Sequence, residues 1–133
     1  MFTFNIEPRF SETDALGHIN NTALPIWFEE ARADLFRIFN PSLKRETWNV
    51  ILKRYEVEML NPIVHGRTVV IETGIQRIGG SSFVVHQKAA QNGVDVAIGE
   101  SLMVYFDYKT LSPIQIPGEI KQRLLEHTVE QES

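Results

Sequence analysis

Asp14 stands four residues before His18 and seven before Asn21, in the stretch FSETDALGHINNTALPIWFEEAR over residues 10–32. Alternation over residues 4–10 predicts a strand, residues 11–17 a turn, and helical spacing takes over from Asn20 or Asn21. A helix that begins beside an acidic loop offers unpaired backbone N–H groups and the positive end of its dipole. Such an end suits an oxyanion or a polarised carbonyl, and the neighbouring Asp14 carboxylate suits a base or a nucleophile. Acid next to electrophile site is the arrangement of acyl transfer. The plainer reading of Asp14 is a turn acid, since aspartate in a glycine-containing loop commonly bonds its own backbone. His18 admits an acid and histidine pair, against a default in which it only fixes the turn.

The element that must position these residues is a helix over residues 22–39. Leu24, Trp27, Phe28, Ala31, Leu35, Ile38 and Phe39 follow its period, with Glu29, Glu30, Arg32, Asp34 and Arg37 mostly on the remaining arc. Asn40-Pro41 ends it. Pro25 falls in the first turn, where its missing N–H costs nothing, with Thr22 or Asn21 expected as the cap. Strands are expected over residues 50–60, 68–78, 82–91 and 94–106, the last two joined by Asn92-Gly93, a strong hairpin signal. Pro117 opens a short terminal helix with Ile120, Leu124 and His127 along one side, and residues 129–133 read as a frayed tail. One strand, one helix and then four strands with tight turns predict an α+β fold, an antiparallel sheet of about five strands wrapped around one long central helix.

The order acidic-x-Asp, Gly-His-hydrophobic-Asn-Asn and aromatic-Glu-Glu-Ala-Arg resembles the 4-hydroxybenzoyl-CoA thioesterase family of the hotdog fold. The likeness continues through Tyr55-Glu-Val-Glu, Asn61-Pro62 and the segment from Arg77 to Phe83. By position, the resemblance places the catalytic aspartate on Asp14 and the oxyanion-donating amide on Asn21, with Glu12 in the place of the first acid. It implies that Ser81 and Ser82 line the groove near the thioester or pantetheine arm, and that basic residues such as Lys53, Arg54, Arg67, Arg77 and Lys88 meet the CoA phosphates. It also implies substrate grooves between subunits, and hence a homodimer or a homotetramer of dimers. Glu29 and Glu30 are second choices for the catalytic acid, because some hotdog enzymes carry it on the helix. The sequence departs from the family at Leu24, where tyrosine is common, at Pro25 and at Arg67.

A chain of 133 residues without cysteine, 43% apolar, is expected to form one domain over residues 1–133 with no disulfide or thiolate chemistry. A net charge of -4 disfavours broad nucleic-acid binding. Neither a signal peptide nor an apolar run of membrane-spanning length is visible, so no membrane partner and a cytoplasmic location are expected. His65, His86 and His127 lack metal-ligand spacing, and no metal or cofactor is expected beyond CoA as part of the substrate. The expected activity is hydrolysis of an acyl-CoA thioester. Its rivals are an acyl-carrier-protein thioesterase and a non-catalytic binder of acyl-CoA or another apolar ligand. A hotdog dehydratase fits less well, since its histidine and acid spacing is missing.

Overall fold

The computed structural model describes residues 1–129. Five long strands, β1 (Phe2–Ile6), β2 (Val50–Met59), β3 (Val69–Ile78), β4 (Ser82–Gln91) and β5 (Val94–Asp107), form one antiparallel sheet in the order β1-β3-β4-β5-β2. A two-residue β6 (Ser112–Pro113) pairs with the end of β5. At the β4–β5 turn Asn92 and Gly93 both take positive φ, 55° and 75°, as a two-residue hairpin requires. Register shifts between Leu52 and Arg54 and between Ile75 and Arg77 mark bulges, which add twist and curl the sheet.

Two helices, α1 (Ala23–Ala31) and α2 (Ala33–Phe39), fill the concave side. Leu24, Phe28 and Ala31 pack with Ile71, Ala89 and Ala97 in one apolar cluster, and Leu35 and Phe39 join Ile75, Phe83 and Met103 in another. Each fully buried large side chain in these clusters contributes about 1.5–3 kcal/mol. The fit of α1 on β5 is tight: a Cβ at Gly99 would lie 2.9 Å from the Phe28 ring. No carbon beyond Cα fits between them.

The single long helix expected over residues 22–39 is broken at Arg32. Its N–H bonds the Glu29 carbonyl at 3.1 Å, a three-residue step in place of the four-residue α-helical one. The Phe28 carbonyl takes its hydrogen bond instead from the Gln87 side chain, 2.8 Å away. Regular bonding resumes with Phe36 N–H to the Arg32 carbonyl at 3.0 Å. Arg32 itself, expected on the polar arc, is only 4% exposed. The first strand is also shorter than expected: it stops at Ile6, before Pro8, which cannot donate to a ladder, and Phe10 opens a 3-10 turn, Phe10–Glu12.

After β6, α3 (Gly118–Leu125) follows Pro117 and buries Leu124 completely. His127 stacks on Phe2 with ring centroids 3.9 Å apart. Val129, expected to start a frayed tail, donates its N–H to the Ile75 carbonyl at 2.8 Å; the rest of that tail, residues 130–133, lies outside the described residues.

Candidate active site

The Asp14 loop is built on its own backbone. Asp14 N–H bonds the His18 carbonyl at 2.7 Å, and Gly17 supplies the positive φ that closes the turn. Asp14 Oδ1 accepts from the amides of Leu16 and His18, at 2.8 and 3.1 Å. Among the described residues nothing donates to Oδ2, so one oxygen is held by the turn and the other is unpaired. His18 takes part through its main chain, pairing with Val64 across the loop. Its imidazole has no hydrogen-bond partner among the described residues.

Glu12 ties this loop to the helix. Its Oε1 accepts from the Arg9 amide and its Oε2 from the Trp27 indole, both at 2.8 Å. Burial pushes this carboxyl up, but the bonds from the Arg9 amide and the Trp27 indole, with the Arg9 side chain, outweigh it and hold it below the ordinary carboxylate range. Glu12 is therefore a strut, held as the anion by three donors.

At the helix start Thr22 holds the N-cap position, as expected, but makes no side-chain cap bond of its own; the side chain that bonds there is Asn20. Asn20 Oδ1 accepts from Thr22 N–H and Oγ1, at 3.0 and 3.1 Å. The Ala23 and Leu24 amides turn back on the Asn20 and Asn21 carbonyls, and Pro25, third in α1, has no N–H to leave unpaired. What remains is the Asn21 amide, exposed, with no acceptor among the described residues.

The other expected site residues do not join this group within one chain. Arg77, Ser81 and Ser82 lie at the β3–β4 turn, whereas the Asp14 loop pairs with residues 63 and 64 just before the start of β3. The length of β4 separates the two ends, roughly 30 Å at strand rise. Arg77 is exposed beside Val84 and Glu100, and the Ser81 carbonyl is used by the Tyr105 amide. Lys88, on the sheet face turned away from α1, makes an ion pair with Asp95 at 3.9 Å.

Between α1–α2 and the edge strand β2 run two adjoining cavities of about 150 and 370 Å³ that share Glu29, Arg32 and Leu52. The smaller starts at Pro25 and Ile26 in the first turn of α1. Glu29 lines both, which keeps it in place as the second candidate acid. Arg32 closes them as part of a network that sequence reasoning missed: Nη1 bonds Gln87 Oε1 at 3.1 Å and Ser101 Oγ at 3.3 Å, and Gln87 Nε2 reaches Thr73 Oγ1 at 3.0 Å. Burial pulls the guanidinium below its ordinary pKa, against the opposing charge of Glu29. A signal was present. Gln87, Thr73 and Ser101 each interrupt the inward-facing period of an otherwise apolar strand, and Arg32 sits within one helical turn of Phe28, Leu35 and Phe36. Among the described residues no three His, Asp or Glu side chains gather as a metal site, and no helix is long and apolar enough to cross a membrane.

Comparison with known proteins agrees with this fold. A predicted thioesterase from Bacillus stearothermophilus superposes with a TM-score of 0.95 at 42% identity, covering 98% of each chain. A thioesterase from Thermus thermophilus, complexed with coenzyme A and Zn, superposes with a TM-score of 0.82 at 28% identity, over 92% of this chain and 95% of that one. The uncharacterized Bacillus subtilis protein YsmA is 27% identical over 128 residues, 96% of this chain and 86% of its own length. The model of the thioesterase-like superfamily matches residues 8–124, from the acidic loop through β2–β5 into α3. With the hotdog architecture and the motif order of the 4-hydroxybenzoyl-CoA thioesterases in agreement, the chain belongs to the thioesterase-like superfamily.

Proposed function

We propose that residues 1–133 act as one acyl-CoA thioesterase domain in the cytoplasm, hydrolysing a thioester to a free acid and CoA without metal or redox cofactor. The observations that support this reading are an oriented carboxylate, Asp14, and, seven residues later at the start of a buried helix, an Asn21 amide with no acceptor among the described residues. The amide would hold the thioester oxygen as charge develops on it. Asp14 would then act in one of two ways. As a base, it takes a proton from water while the water oxygen bonds the carbonyl carbon, and the collapsing intermediate expels the CoA thiolate, which picks up that proton. As a nucleophile, its free oxygen bonds the carbonyl carbon and expels the thiolate, and water cleaves the resulting anhydride. Membership of the superfamily and the relative seen with coenzyme A support CoA as the carrier.

A homodimer, or a homotetramer of dimers, completes the proposal. Leu52, Tyr55 and Met59 are 39%, 53% and 44% exposed on β2, whose outer edge has no strand beside it among the described residues. Pairing copies there buries these side chains and removes an open edge. Arg77, Ser81, Ser82 and Lys88 would serve CoA from whichever copy brings them to the Asp14 loop. Their distance from Asp14 in one chain is the reason to assign them across subunits.

A panel of acyl-CoAs assayed for thiol release tests the activity, and the same acyl groups on a carrier protein decide between the two carriers. A specific feature favours the non-catalytic reading: Asp14 Oδ1 is already occupied by its own turn. Acyl-CoA binding without thiol release would establish that reading instead.

A further inference from the structure

Arg32 is the one strongly buried cation whose surroundings, among the described residues, contain no acid within ion-pair distance. Its partners are neutral: Gln87 and Ser101 on Nη1, and the Phe36 ring, whose centroid lies 6.0 Å from Cζ. Nε is buried with no partner, and Nη2 donates to nothing among the described residues. A guanidinium carries five donors in a fixed plane, so one edge is pinned by the sheet and the other is left over. The opposing charge it feels, that of exposed Glu29, is screened by water, so burying this cation is costly and a ligand that supplies a buried counter-charge recovers part of that cost.

The position of this cation relative to the helix start defines the ligand. The smaller cavity is lined at one end by Pro25 and Ile26, in the first turn of α1 just after Asn21 in sequence, and by Arg32 and Ser101 further along, with Phe28 and Val57 on its wall. From Pro25 to Arg32 is seven residues, about 10 Å along the axis. An acyl chain whose carbonyl sat at the helix start would run past apolar side chains and bring its far end to the guanidinium. Glu29 and Glu56 also line the cavity, but both are exposed, where water and salt screen them. The screened acids stand at the rim and the unscreened cation at the inner end. We propose that this cavity is an acyl pocket selecting medium-length acyl groups that end in a carboxylate, with the free edge of the Arg32 guanidinium reading that carboxylate. The substrate class is then the monothioester of a dicarboxylic acid. This rests on the thioesterase reading above.

The test compares substrates that differ only at the far end, octanoyl-CoA and the CoA monothioester of octanedioic acid. The wild type should favour the diacid thioester by about tenfold or more in kcat/KM, the factor that one hydrogen bond to a charged group commonly carries. Arg32→Met should bring the ratio to about one, and Arg32→Lys should leave an intermediate ratio. A wild-type ratio at or below one overturns the proposal. So does a preference that survives in Arg32→Met, because another group would then read the carboxylate. Should Arg32→Met fail to fold, calorimetric titration of the wild type with octanedioate and octanoate decides: tenfold tighter diacid binding supports the pocket, equal or weaker binding overturns it. If neither thioester is hydrolysed, the thioesterase reading fails by itself and the same titration still judges the pocket. If the wild type shows no preference and Arg32→Met dissociates an oligomer, the counter-charge is a carboxylate of a second copy, and the acyl assignment falls.

Discussion

At the start of α1 the bonds that orient Asp14 span two and four residues of sequence, whereas at its end those around Arg32 span 42 to 69. The first end is an exposed turn whose donors are backbone amides, so its geometry survives changes in most side chains. The second is a buried junction of helix, β3, β4 and β5 in which side chains supply every acceptor to the cation. The same helix therefore presents a locally determined acid at one end and a globally determined cation at the other. They should fail in different ways when damaged.

The largest expected contrast is Asp14→Asn. The amide oxygen can still accept from Leu16 and His18, so the turn and the melting temperature should hold, while thiol release falls by about 10²- to 10⁴-fold. A folded variant with near-wild-type turnover would remove Asp14 from the mechanism and turn attention to Glu29. At the other end, Gln87→Leu should cost about 3 kcal/mol in denaturant unfolding, since it leaves a buried guanidinium with one acceptor fewer and the Phe28 carbonyl unpaired. A loss below about 1 kcal/mol would mean that the helix break does not depend on this residue.

Smaller effects separate cap from donor. Asn20→Ala should destabilise by about 1 kcal/mol, the usual worth of a helix cap. Asn21→Ala should change both stability and rate little, because the proposed donor is its main-chain N–H. A large rate loss in Asn21→Ala with unchanged stability would give the side chain a chemical part. The mildest change is in acid. Glu12 has its pKa lowered in the folded chain from an ordinary 4.5, so its contribution is complete above that value and is lost as the pH falls through the lower folded one. The Trp27 indole proton resonance should follow that titration, and Glu12→Gln should abolish the pH dependence. An indole signal that stays constant through the acid limb would show that Glu12 does not hold the loop to the helix.

This contrast also explains what could be read from the sequence. The Asp14 turn, the hairpin at Asn92-Gly93 and the strand over Ser82–Gln91 rest on neighbouring residues and on a period of two, and all three appear in the structure where expected. The cap position falls on Thr22, one of the two expected, but the side chain that bonds there is Asn20, which the sequence does not single out because Asn20, Asn21 and Thr22 are all good caps. The expectation that Arg32 faces solvent fails because its charge outweighs, in the pattern, its apolar neighbours at helical spacing. Its polar partners lie on two strands, β4 and β5, that only the finished sheet brings together. The break in the helix shares that origin, since the donor that replaces the lost helical bond comes from β4.

The strand order has a consequence in time. β2 is flanked in the sheet by β5 alone, and β1 by β3 alone, so each early strand pairs with one made much later. On a ribosome adding about 5–20 residues per second, residues 50–59 emerge some seconds before residues 94–107 exist to receive them. Through that interval β2 is an unpaired strand carrying Leu52, Tyr55, Val57 and Met59. Lys53, Arg54, Glu56 and Glu58, spaced between those apolar residues, keep it from pairing with the wrong neighbour. The alternation that shapes one wall of the groove in the finished protein thus also keeps the nascent chain safe while it waits.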